Sequence, residues 1–170
     1  MRTRLKSSRG VTILELLIAV VIVGIATGMA VPRFQIAFER ARYKAGNKEI
    51  VSALRTARSM SLADKRQYGV HFDETAMTIT LFRDDLNPAL CTFETGDSVI
   101  STDTLPVGFH YLMTDCTDNV IVFMPNGSAQ FAGGGNIYTY AYSPDVYYSR
   151  THNVLASTGR VKSIDPYAVN

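Results

Sequence analysis

MRTRLKSSRG over residues 1–10 runs without a break into VTILELLIAVVIVGIATGMAV over residues 11–31. Arg2, Arg4, Lys6 and Arg9 give the first block four positive charges and no negative one, and Glu15 is the only ionisable residue of the second. Twenty-one helical residues rise about 31 Å, the thickness of a bilayer's hydrocarbon core. Basic residues stay on the cytoplasmic side, so the N-terminus is expected inside and everything after Pro32 outside. The expectation is a single-pass chain with an exported domain.

Glu15 is the anomaly of that span. A carboxylate in hydrocarbon costs about 2.5–3.5 kcal/mol at a helix centre and less towards an end, so as a rule it has a partner and a purpose. Thr12-x-x-Glu15 fits a capping box, in which the two side chains satisfy backbone N–H groups at a helix start. Glu15 is also close enough to the start of the apolar run for its carboxylate to reach the headgroups.

The join between Gly10 and Val11 adds a third role. Arg9-Gly10-Val11-Thr12-Ile13-Leu14-Glu15-Leu16-Leu17-Ile18 resembles the class III signal of type IV prepilins and pseudopilins: a basic leader ending in glycine, an apolar residue next, and glutamate five residues after the cut. The resemblance implies that a prepilin peptidase cleaves after Gly10, that Val11 becomes the N-methylated terminus, and that Glu15 is the assembly carboxylate. In a low dielectric, Glu15 paired with the charged terminus of a neighbouring subunit would favour both charged forms. Val11 departs from the phenylalanine or methionine more usual at that place. Two other readings compete: a secretory signal cut after Gly28-Met29-Ala30, and a plain uncleaved anchor. The apolar run is longer than a secretory core of about 7–15 residues, and a secretory signal leaves Glu15 unexplained.

About 139 residues follow Val31, enough for one domain with a real core. Loss of the leader's four cations turns the net charge of +2 into −2, with 13 basic against 15 acidic side chains, so no strongly basic nucleic-acid surface is implied. Cys91 and Cys116 would face an oxidising compartment, where a disulfide between them is one possibility and two separate thiols the other. They lack the partners and spacing of a zinc site, and no metal or cofactor is expected.

Residues 32–63 continue as an amphipathic helix. Tyr43, Asn47, Ile50, Leu54, Ala57 and Ser61 recur at three- and four-residue intervals, with Arg40, Arg42, Lys44, Lys48, Arg55 and Arg58 as polar cover. Pro32 is positioned to kink it at the membrane boundary. From residue 64 to 170 the signals are those of a β-rich head. Segments 68–72 and 76–82 flank Asp73-Glu74-Thr75 as a hairpin, and strands are expected at 98–105, 109–112, 120–124, 128–131, 137–141, 154–157 and 160–164. Pro125-Asn126-Gly127, Ser143-Pro144-Asp145 and Thr158-Gly159 are turns, and Gly133-Gly134-Gly135 reads as a loop. The fold class is α+β, a long N-terminal helix with a transmembrane first half, packed on an antiparallel head.

Phe123-Met124-Pro125-Asn126-Gly127-Ser128 and Ser157-Thr158-Gly159-Arg160-Val161-Lys162 resemble the F-x-P-x-G and closing S-x-G-R-V segments of minor pseudopilins of the GspH/FimT type. That resemblance implies a structural subunit of an inner-membrane filament, either a type II secretion pseudopilus or a type IV pilus, with prepilin peptidase and other pilin or pseudopilin subunits as partners. It also implies an inner-membrane location with the head in the periplasm. The alternative is a DNA-binding subunit for uptake, because FimT relatives carry a G-R-x-R or G-R-x-K element where Gly159-Arg160-Val161-Lys162 stands. Arg160 and Lys162 alternate onto one strand face, a geometry suited to two phosphates, and Tyr138, Tyr140, Tyr142, Tyr147 and Tyr148 offer rings for stacking or for packing. An enzyme is not expected: His71, His110 and His152 are scattered, no catalytic motif is present, and the glycine run precedes a strand rather than a helix.

Overall fold

In the computed structural model the described residues are 11–106, 109, 111–143 and 146–167. The chain divides into two compact units, Met1–Phe38 and Glu39–Asn170. One helix, α1 (Ile13–Asp64), supplies the described part of the first unit and the opening of the second. Thr12 caps its start, the Thr12 hydroxyl accepting from the Glu15 N–H at 3.2 Å. The leader, His110, Pro144 and Asp145 lie outside the described residues.

The described part of the first unit, residues 11–38, is mostly apolar and exposed. Its helix qualifies by length and composition to cross a membrane, with a mean hydropathy of 2.5 over the best window and none of that window buried. Leu14, Leu17, Val21 and Ile25 are all more than half exposed.

The second unit opens with the amphipathic half of α1. Tyr43, Asn47, Ile50, Leu54, Ala57 and Ser61 are all buried, so the stripe read from three- and four-residue spacing is the face that packs. Among the described residues nine strands follow: β1 (Tyr68–Asp73), β2 (Thr78–Arg83), β3 (Ser98–Thr104), β4 (Tyr111–Cys116), β5 (Val120–Phe123), β6 (Ala129–Gln130), β7 (Gly133–Ser143), β8 (Val146–Leu155) and β9 (Arg160–Tyr167). They form two antiparallel sheets, ordered β3-β2-β1-β5-β6 and β4-β7-β8-β9. The β1–β2 hairpin turns on Asp73, whose carboxylate accepts the N–H groups of Thr75 and Ala76 at 2.8 and 2.7 Å.

Ile50, Leu54 and Ala57 meet Val70, Phe72, Ile121, Phe123, Leu112, Ile137 and Val154 in one core drawn from both sheets. Each large apolar side chain buried there contributes about 1.5–3 kcal/mol. All four residues of β5 are buried: Ile121 and Phe123 enter this core, while Val120 and Val122 point the other way into a second cluster with Phe82, Cys91 and Phe93. The segment 84–97, which carries no recognisable motif, is therefore the cover on the far face of the first sheet. Asp97 organises it, accepting the N–H groups of Asp85, Leu86 and Glu94.

Two expectations need correction. Gly133-Gly134-Gly135 is not a loop but the start of β7, with Gly133 opposite Cys116. A Cβ at Gly133 would collide with the Asp115 carbonyl, and one at Gly134 with the Asp115 carboxylate, so the glycines permit close strand approach. The strand expected at 154–157 is instead the end of the ten-residue β8, which pairs with β7 from Asn136↔Asn153 to Ser143↔Val146.

Candidate processing and binding sites

Of the residues assigned to processing and assembly, Gly10 lies outside the described residues, whereas Val11 and Glu15 lie at the start of α1. Val11 is 71% exposed. Glu15 occupies the third helical position, where its carboxylate sits at the positive end of the helix dipole. The Thr12 half of the capping box is formed, and the Leu16 N–H bonds back to the Thr12 carbonyl at 3.2 Å. This leaves the carboxylate in the first turn of an apolar helix.

Cys91 and Cys116 are both buried and both free, so the structure does not form the disulfide considered between them. They belong to different core clusters. The Cys116 thiol donates to the Gly134 carbonyl at 3.0 Å, and the Cys91 thiol to the Pro88 carbonyl at 3.5 Å. Burial, reinforced by the charge of Asp115, pushes the Cys116 thiol up to about 12, and burial beside Asp84 raises that of Cys91. Neither is a ready thiolate.

Arg160 and Lys162 are exposed on β9, Lys162 opposite Asn153. The two segments read as subgroup motifs come together here: the Ala129 N–H bonds to the Ala156 carbonyl at 2.8 Å, and a Cβ on Gly159 would strike the Gly127 carbonyl. Arg58 of α1 lies across this junction, its Nε donating to the Gly127 carbonyl at 3.1 Å. Gly127 and Gly159 both adopt positive φ, 82° and 61°, which turns the chain sharply enough for the guanidinium to fit. Arg55, Arg58 and Arg160 consequently line one cleft of 430 Å³. Arg55 and Arg58 look like ordinary polar cover in the sequence, and only the return of β9 to the helix brings them to Arg160.

The tyrosines divide between two jobs. Tyr148 stacks on Tyr43 with centroids 5.5 Å apart and accepts the Arg40 Nε at 2.7 Å. Tyr140 contacts Tyr111 and Tyr147 at 5.6 and 5.9 Å, so these rings pack on one another. His152, expected at an ordinary strand or loop position, is fully buried. Its Nε2 lies 2.7 Å from Asn47 Oδ1, its Nδ1 2.8 Å from the Ser163 hydroxyl, and the Thr139 hydroxyl donates to the same Asn47 oxygen at 2.8 Å. The Asn47 amide nitrogen donates to the Tyr43 carbonyl, so its oxygen can only accept and His152 Nε2 carries a proton. Among the described residues, no group of three or more His, Cys, Asp or Glu is placed to hold a metal.

Residues 5–31 match the family model described as the prokaryotic N-terminal methylation motif. No curated protein matches the chain. Among solved structures, the minor pseudopilin EpsH from the Type 2 Secretion System of Vibrio cholerae is similar in fold, with a TM-score of 0.52 at 13% identity, covering 74% of this chain and 98% of that one. The methylation motif thus runs into an apolar helix, and the chain as a whole shares its fold with that pseudopilin.

Proposed function

We propose that this chain is a minor pilin-class subunit: a structural protein of an inner-membrane filament, rather than an enzyme, that serves either type II secretion or a type IV pilus. The observation that carries the reading is the methylation motif over residues 5–31, placed on a helix fit to span a membrane. Prepilin peptidase cleaves after Gly10 and methylates Val11. Residues 11–31 hold the subunit in the membrane, N-terminus in the cytoplasm and head in the periplasm, and Glu15 then pairs with the terminal amine of a neighbouring subunit. The likeness of the head to EpsH supports a minor subunit, since that protein belongs to a type 2 secretion system. The DNA-binding alternative rests on Arg160 and Lys162, and the net charge of −2 on the cleaved chain weighs against it.

Intact-mass and N-terminal peptide analysis of the protein from native membranes tests this directly. An N-terminus at methylated Val11 is expected. An N-terminus at Val31, or an uncut Met1, would remove the filament reading.

A further inference from the structure

The cleft between the amphipathic half of α1 and the start of β9 is built from Arg55, Arg58, Ser59, Leu62, Arg160 and Val161. No carboxylate lines it, and among the described residues the ion pairs found involve Arg66 and Arg83, not these three arginines. Arg58 is the fixed member. Its Nε is held by the Gly127 carbonyl, which leaves its terminal N–H groups to a ligand, and a side chain at Gly159 would meet the Arg58 Nε and Cδ at 3.0 and 3.1 Å. A guanidinium held by its Nε presents a ready fork to a carboxylate at little entropic cost. A second cleft of 370 Å³ shares Arg55 and Ser59 and continues along the helix past Thr56 and Ser52 to Lys48. The second is formed by the helix alone, so the arginine cleft opens onto an exposed helix face that carries Ser52, Thr56 and Lys48.

We propose that this groove receives a carboxylate-bearing peptide segment of a different subunit, an Asp or Glu side chain seated between Arg55, Arg58 and Arg160. The identity of the partner as a filament subunit rests on the function proposed above; the chemistry of the cleft does not. The shape favours a peptide over a duplex. Double-stranded DNA presents a phosphate charge about every 1.7 Å and demands a broad row of cations, whereas here Leu62 and Val161 share a narrow cleft with the arginines, and Lys162 does not line it. No carboxylate of the described residues lines the cleft, so one seated there comes from another chain.

The test is fluorescence anisotropy of a labelled hexaglutamate peptide with the full-length protein in zwitterionic detergent micelles. Inorganic phosphate and a short DNA duplex serve as competitors. Arg58→Gln is expected to weaken peptide binding about tenfold, the loss of one charge-assisted hydrogen-bonding group. Arg55→Gln, at an exposed helix position where folding is not at stake, is expected to weaken it severalfold, and Lys44→Gln, outside the groove, to leave it unchanged. No peptide binding, equal loss with Lys44→Gln, or insensitivity to both arginine variants would overturn the proposal. So would tighter binding of the duplex than of the peptide through the same arginines, which would make the occupant nucleic acid. These outcomes are independent of cleavage and methylation, so this idea and the filament reading can fail separately.

Discussion

Asn47 and Asp84 are two buried polar residues with opposite fates. Asn47 is 1% exposed and satisfied: it joins Tyr43 of its own helix to Thr139 on β7 and His152 on β8, and His152 passes the link to Ser163 on β9. Such a network fixes the angular setting of the helix on the sheet more sharply than apolar contacts do. Asn47→Leu keeps the volume but removes the acceptor shared by Thr139 and His152, and a loss of about 1–3 kcal/mol is expected in urea denaturation. Asp84 is 5% exposed, and its Oδ2 finds no hydrogen-bond partner among the described residues. Burial first, then the charges of Asp97, Glu94 and Asp85, push its carboxyl up from 3.8 to about 6. The folded chain therefore binds this proton more tightly than the unfolded chain. Stability from Asp84 is full below the unfolded value and is lost as pH rises through about 6. Asp84→Asn should raise the melting temperature at pH 7.5 and leave it nearly unchanged at pH 4. An equal shift at both values would mean that the proton plays no part.

At the scale of elements, α1 from Tyr43 to Ser61 is where pattern and structure agree most closely. Leu54 is wholly buried at the centre of the stripe, so Leu54→Ala is expected to cost about 2–5 kcal/mol, read by thermal or urea unfolding. Leu62, 38% exposed at the rim, should tolerate the same change with little loss. A helix face is legible because its period of 3.6 is written over many residues, and the β1–β2 hairpin is legible because Asp73 marks a turn by its own chemistry. β7 and β8 are less so. Gly133 to Gly135 carry the composition of a loop, yet they open a strand in which Asp115 of β4 leaves no room for a side chain at Gly133 or Gly134, and Phe131 and the Val154 carbonyl leave none at Gly135, constraints set largely outside any local window. β8 conceals itself similarly: Arg150, His152 and Asn153 look polar, and pairing with β7 and β9, with His152 and Asn153 bonded to Asn47, Ser163 and Asn136, makes a strand of them. The site divides along the same line. Gly10, Val11 and Glu15 form a linear signal readable in order, whereas the arginine cleft needs residues about a hundred positions apart to meet.

For the whole molecule, the two units differ in the physics that governs each. The head is closed by its own core, with every residue of the helix stripe satisfied inside one chain. Among its described residues the N-terminal unit contributes no member to either core cluster; Leu14, Leu17, Val21 and Ile25 are exposed, and Glu15 lies among them. Under the function proposed, a unit of that kind acquires its contacts from lipid and from other subunits. Glu15→Ala should therefore separate the two sets of properties. The variant is expected to insert, to be cleaved and methylated like the native chain, and to show the same urea midpoint for the head, because none of the buried contacts that close the head involves residue 15. Incorporation into filaments, measured by the fraction that co-sediments with sheared surface material or cross-links to sister subunits, should drop at least about tenfold, the effect of losing one ion pair worth more than about 1.4 kcal/mol in a low dielectric. If the variant assembles normally, Glu15 is no more than a helix cap and the register of the subunit must come from the head. If instead processing fails, the carboxylate is read by the peptidase before any neighbour meets it.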